Sequence, residues 1–250
     1  MLLLSILLAS VFATSVLSGV LGMAGGMILM AILLAVFSVP VTMMVHGAVQ
    51  ATANGSRAWF LRQHIAWAVL PPYLLGAAAA LGLFYTLAIR PNEALILIVI
   101  GSFPFLARLQ RWLRARQAEP DGGLDITRPG TAILCGTVVT GAQLFAGVSG
   151  PLLDVFYLNT PLDRFAVVAS KALTQAVGHI LKLGYWGTLL ASADAIPVYW
   201  VALAMIAAVL GTRTGTLLLA RWNQDSFQKV SGAVVLTIGG ICLARGLLLI

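Results

Sequence analysis

Along the chain, apolar residues fall into runs broken by short polar or glycine-rich interruptions. The runs cover approximately 3–21, 24–38, 42–61, 66–89 and 93–112, then 130–147, 150–158, 162–190, 196–220 and 227–249. A helix needs about 20 apolar residues to cross a bilayer, so most of these runs predict spanning or partly spanning helices. Two are too short. The segments 24–38 and 150–158 reach only about 22 and 14 Å at 1.5 Å per residue, which predicts half-helices or re-entrant arms. Each follows a small-residue break, SGVLGMAGGM at 18–27 and TGAQLFAGVSGP at 140–151. Glycine lets the backbone unwind and approach a ligand, and Pro151 suits the first turn of a new helix. Gly25, Gly26, Ser149 and Gly150 are therefore candidate substrate-binding positions.

The two breaks align. Gly19 lies 122 residues before Gly141, Gly25 lies 122 before Gly147, and Pro40 and Pro161 follow at 121. Duplication accounts for this register, with a first repeat at 1–113, a linker at 114–128 and a second repeat at 129–250. The linker, RARQAEPDGGLDITR, is the longest polar stretch.

Composition agrees with a lipid environment: 60% of the 250 residues are hydrophobic, 9% are charged, and the mean hydropathy is +0.98. A soluble domain carries about a quarter charged residues. The net charge of +7 comes from Lys and Arg at segment ends or singly inside apolar runs, without the basic face that nucleic acid would require. Met1 to Ser18 lack the leading positive charge of a secretory signal, the first basic residue being Arg57, and predict a first membrane helix. Cys135 and Cys242 have neither CxxC nor metal-ligand spacing and read as packing residues. No metal or cofactor is predicted.

Orientation follows from the basic residues. Arg108, Arg111, Arg114 and Arg116 mark the central loop as cytoplasmic, and the turn with Arg57, Arg62 and His64 falls on the same side. ASADAIP at 191–197 has no basic residue and fits the outside, Arg221 and Lys229 fit the inside, and Arg90 alone disagrees. An odd number of crossings per half results, so the halves are expected to be inverted. The predicted fold is an all-α polytopic membrane protein of two homologous inverted repeats, each of four to five helical segments with a Gly-broken helix near its start, a plan recurrent in secondary transporters.

Two matching polar stripes carry the candidate chemistry. HGAVQATANGSR places His46, Gln50, Asn54 and Arg57 at i, i+4, i+8 and i+11; KALTQAVGHILK places Lys171, Gln175, His179 and Lys182 at the same spacing, 125 residues later. Each set falls within about 80° of one helix face. A polar ridge in the bilayer core must face protein or a hydrated cavity. Cation-rich and free of carboxylates, the ridges suggest an anionic substrate held by Lys171 with donors from Gln50, Gln175, Asn54, His46 and His179. The bland alternative is interhelical hydrogen bonding, with Arg57 and Lys182 snorkelling at helix ends. Asp154, inside the short second arm, reads either as an ion-pair partner of Lys171 or Arg213 or as a coupling protonation site. The small-residue runs around Arg213 and at 74–82 (LLGAAAALG) suit close helix packing.

At these residues the sequence resembles the TauE/SafE sulfite-exporter family, on SGVLGMAGGM, VHGAVQATANGSRAWFLRQHIAW at 45–67, AGVSGP and SKALTQAVGHILKLGYWG at 170–187. The resemblance covers nearly the whole chain. It departs from the glycine triplet that many relatives have at each break, the second break here reading GVSG with Val148 and Ser149. The resemblance implies a multi-pass permease of the bacterial inner membrane for sulfite, sulfoacetate or another sulfonate. Alternating access is the expected mode, with proton or sodium as the open choices of coupling ion and a homodimer left undetermined. A passive anion channel, an assembly factor and an intramembrane enzyme are the alternatives. The last lacks a nucleophile with a base at helical spacing.

Overall fold

The computed structural model describes residues 1–21, 24–115, 124–157, 160–189, 196–219 and 224–250. Most of the predicted linker and of the ASADAIP turn, with Arg116 and Arg221, lies outside the described residues, as do the side chains of Arg111, Arg114 and Lys229. Each apolar run forms one helix. The first half holds α1 (Leu2–Leu21), α2 (Ala24–Val36), α3 (Val39–Phe60), α4 (Leu70–Leu87) and α5 (Glu93–Ala115). The second holds α6 (Pro129–Ala146), α7 (Gly150–Tyr157), α8 (Arg164–Leu189), α9 (Val198–Leu219) and α10 (Gln224–Leu248). No strand occurs among the described residues.

The two arms are short, as their sequence requires. α2 has 13 residues and α7 has 8, about 20 and 12 Å of helix against a hydrocarbon core of about 30 Å. Among the described residues, three stretches are long and apolar enough to cross a membrane by length and composition: Trp67–Leu87, Pro129–Ala146 and Val198–Gly215. α3 and α8 carry the polar ridges, which lowers their mean hydropathy. Large apolar side chains such as Leu75, Ile180 and Ile206 point outward, as expected where lipid replaces water as the solvent.

Helix pairing follows a reciprocal pattern. α4 of the first half lies along α6 of the second, and α9 of the second lies along α1 of the first; α3 packs on α8 and α5 on α10. Small residues permit the close approaches. A Cβ at Gly136 would strike the Tyr73 carbonyl, and one at Gly76 would meet Thr137 N at 2.8 Å. In the reciprocal pair, a Cβ at Gly211 would lie 2.6 Å from the Phe12 carbonyl. Gly76 and Gly211 thus serve the close packing expected of their small-residue runs, whereas a Cβ at Gly82 meets nothing within 4 Å.

The third helices run antiparallel. Ala66, just beyond α3, donates its N–H to Ser170 near the start of α8 at 2.9 Å, while Met44 near the start of α3 faces Gly187 near the end of α8. The fifth helices do the same. Arg245 near the end of α10 donates to Glu93 at the start of α5 at 2.6 Å, and Gly101 faces Gly239 and Leu243 further along. Equivalent helices of two halves meet antiparallel when the halves are inverted, and parallel when they are not.

Candidate functional site

Because α3 and α8 cross antiparallel, their polar ridges meet end for end. His46 at the start of one ridge reaches Lys182 at the end of the other: Lys182 Nζ donates to His46 Nδ1 at 2.8 Å and to the Gly147 carbonyl at 3.1 Å. His46 Nε2 in turn donates to the Gly26 carbonyl at 2.9 Å. A neutral imidazole that donates through Nε2 presents a lone pair at Nδ1, so the directions are mutually consistent. The chain Gly26, His46, Lys182, Gly147 therefore ties the first break to the second.

Lys182 is fully buried, not snorkelling at a helix end. Space for its stem comes from Gly47, where a Cβ would sit 3.2 Å from Lys182 Cε and 2.9 Å from Leu183 Cδ2. Gly147 closes α6 in the left-handed conformation, φ +76°, with its N–H donating to the Gln143 carbonyl at 2.9 Å. That turn aims the Gly147 carbonyl at Lys182.

A small cavity opens beside this bridge, with about 470 Å³ of empty space when its open mouth is counted. α3 contributes His46, Gln50, Asn54 and Arg57 to its wall, and α8 contributes Gln175 and His179. The breaks add Ser18, Gly26 and Met27 on one side and Val148, Ser149 and Gly150 on the other. No carboxylate lines it among the described residues. Arg57 faces this space, and no described carboxylate forms an ion pair with it.

The polar wall is partly self-satisfied and partly free. Asn54 Nδ2 donates to the Gln50 carbonyl at 3.0 Å. Ser149 Oγ donates to Gln143 Oε1 at 3.0 Å, and Gln143 Nε2 donates to the Gln175 carbonyl at 3.3 Å. Gln143 thus clamps the second break to α8. The His46 and His179 rings lie 5.5 Å apart, and His179 Nδ1 is buried without a hydrogen-bond partner.

Eight of the sequence-predicted positions come together here: His46, Gln50, Asn54, Gln175, His179, Gly26, Ser149 and Gly150. Four do not. Lys171 is bound to Asp154 of α7, outside the cavity wall. Gly25 packs on α1, where a Cβ would strike the Thr14 carbonyl, and Arg213 is exposed on α9. Sequence reasoning assigned no role to Gln143, although an amide inside an apolar 18-residue helix is the signal that finds it. The alternative of snorkelling at helix ends fails for Lys182, which is buried, while Arg57 does lie in the last turn of α3 and there lines the cavity.

The family described as sulfite exporter TauE/SafE matches residues 6–241, which takes in every helix, the first and the last in part. No curated protein and no solved structure matches.

Proposed function

The chain belongs to the sulfite exporter TauE/SafE family, which makes it a membrane transporter of the sulfur-anion class, and we propose that the cavity between α3 and α8 is its anion site. The observation that carries this reading is Arg57: a guanidinium facing a carboxylate-free cavity with no ion-pair partner among the described residues. Guanidinium matches the planar fork of two oxyanion oxygens, and the amides of Gln50, Asn54 and Gln175 supply neutral donors around it. Lys171 stays one step removed, its charge matched by Asp154.

Alternating access is the transport mode this architecture suits. The reciprocal pairing and the antiparallel α3–α8 and α5–α10 contacts support inverted halves, with the site where they meet. A multi-pass protein of the bacterial inner membrane, carrying sulfite, sulfoacetate or another sulfonate, fits that frame.

The test is uptake of sulfite, methanesulfonate and sulfoacetate into proteoliposomes. Saturable flux of at least one is expected. Loss of a charge-assisted hydrogen bond, about 1.5–3 kcal/mol, should weaken Arg57→Gln about 10- to 150-fold, with Arg57→Lys retaining part of the activity. Flux linear in concentration would indicate a channel, absence of flux for every anion would indicate a non-transport role, and unchanged Arg57→Gln kinetics would remove Arg57 from the site.

A further inference from the structure

The bridge between the two breaks has a property that an anion site alone does not need. Lys182 is fully buried and touches only neutral acceptors, His46 Nδ1 and the Gly147 carbonyl. An ammonium has three donor hydrogens and a neutral amine has two. The two acceptors take both hydrogens of the amine, leaving its lone pair unmatched, and two of the three hydrogens of the ammonium. The same two hydrogen bonds therefore persist in both charge states, and a proton can be gained or lost at Lys182 without breaking the link between Gly26 and Gly147.

The surroundings supply no fixed countercharge. α3 presents His46 and Arg57, and α8 presents His179. α2 has no titratable side chain and α6 has only Cys135. The carboxylate of α7, Asp154, is already paired with Lys171 of α8. A buried ammonium held only by dipoles is costly, and an anion in the adjoining cavity is the charge that would offset it. His46, whose two nitrogens are both engaged, lines that cavity and stands between anion and lysine.

We propose that Lys182, hydrogen-bonded to His46, is a proton-binding site coupled to the anion cavity, so that binding an anion draws a proton from bulk water onto Lys182. The inference rests on the anion-site reading above and adds the coupling ion and its seat. By linkage each ligand strengthens the other to the same degree.

The experiment is isothermal titration of purified protein in detergent with the tightest-binding of sulfite, methanesulfonate and sulfoacetate, in buffers of different ionisation enthalpy. Where that anion is sulfite, its own ionisation, measured in the same buffers, is subtracted. The wild type should show heats that depend on the buffer, giving net proton uptake, and affinity falling by up to about tenfold per pH unit on the alkaline side. Lys182→Met should remove that uptake, whereas Arg57→Lys should weaken binding and keep it. Tight binding with buffer-independent heats in the wild type overturns the proton site and leaves the anion site standing. Absence of binding by all three anions overturns both. Buffer-independent heats in the wild type overturn the proposal even if Lys182→Met does not fold, and uptake that persists in a folded Lys182→Met moves the proton to another group and overturns it as well.

Discussion

Replacing Gly178 by alanine puts a methyl group where the Gln143 carboxamide lies. An ideal Cβ at 178 would come within 2.9 Å of the Gln143 amide carbon and 3.3 Å of its nitrogen, inside the roughly 3.5–4.0 Å spacing of non-bonded heavy atoms. Gln143 is fully buried and has no water to swing into. Its displacement breaks the bond from Ser149 and the bond to the Gln175 carbonyl. Two neutral hydrogen bonds at about 1 kcal/mol each, with about 1–2 kcal/mol for polar atoms left unmatched, give a loss of about 3–4 kcal/mol. The helix-propensity gain of alanine over glycine, about 1 kcal/mol, leaves a net loss of about 2–3 kcal/mol. Thermal unfolding in detergent measures it, with Gly184→Ala as the control, since a Cβ there meets nothing within 4 Å. In a Gln143→Ala background the methyl has room, so Gly178→Ala should be nearly harmless, and the two substitutions should couple by at least about 1 kcal/mol. Equal melting of Gly178→Ala and Gly184→Ala, or strict additivity with Gln143→Ala, would refute the clamp.

Three further outcomes are expected. Lys171→Ala leaves Asp154 unpaired and should melt earlier than the Lys171→Ala/Asp154→Ala double variant; the effect is modest because the Asp154 side chain is 42% exposed and the pair is partly screened. Asp163, ahead of α8, accepts the N–H groups of Ala166 and Phe165 at 3.0 and 2.8 Å, which hold its carboxyl below its ordinary value of 3.8. A depressed carboxyl stabilises the fold above its ordinary value and loses that contribution as pH falls through the lower folded value. Asp163→Ala should therefore lower the melting temperature near pH 6, with the gap to wild type closing below about pH 4. Cys135 and Cys242 are buried, so a maleimide should label neither until the protein is unfolded, and labelling of the folded protein would contradict their packing role.

The helices were legible because lipid enforces a simple rule: each apolar run forms its own hydrogen-bonded segment. The arms at 24–36 and 150–157 were legible for the same reason, being too short to span. The ridges on α3 and α8 could be read from helical spacing, which fixes the face a residue occupies but not the partner that face meets. Antiparallel crossing decided that His46 meets Lys182, and it placed Arg57 at the cavity while Lys171 was taken up by Asp154. Only one local sign anticipated the first of these contacts. Gly47, next to His46, leaves the hollow into which the Lys182 stem fits. The clamp by Gln143 was hidden because the residue sits in the break motif rather than on a ridge.

The reciprocal pairing of α1 with α9 and α4 with α6 also constrains biogenesis. α1 ends at Leu21 and its main partner begins at Val198, a separation of 177 residues (198 − 21). At about 5–20 residues per second, α1 waits roughly 10–35 s for the helix that covers its small-residue face. Part of its polarity is handled in the meantime, since the Thr14 hydroxyl donates to the Ser10 carbonyl of its own helix at 2.6 Å. The seat for Gly211 stays open until translation is nearly complete. A chain halted before Val198 would leave α1 without α9 and α5 without α10, so truncation products should be cleared by membrane proteolysis instead of persisting as half-transporters.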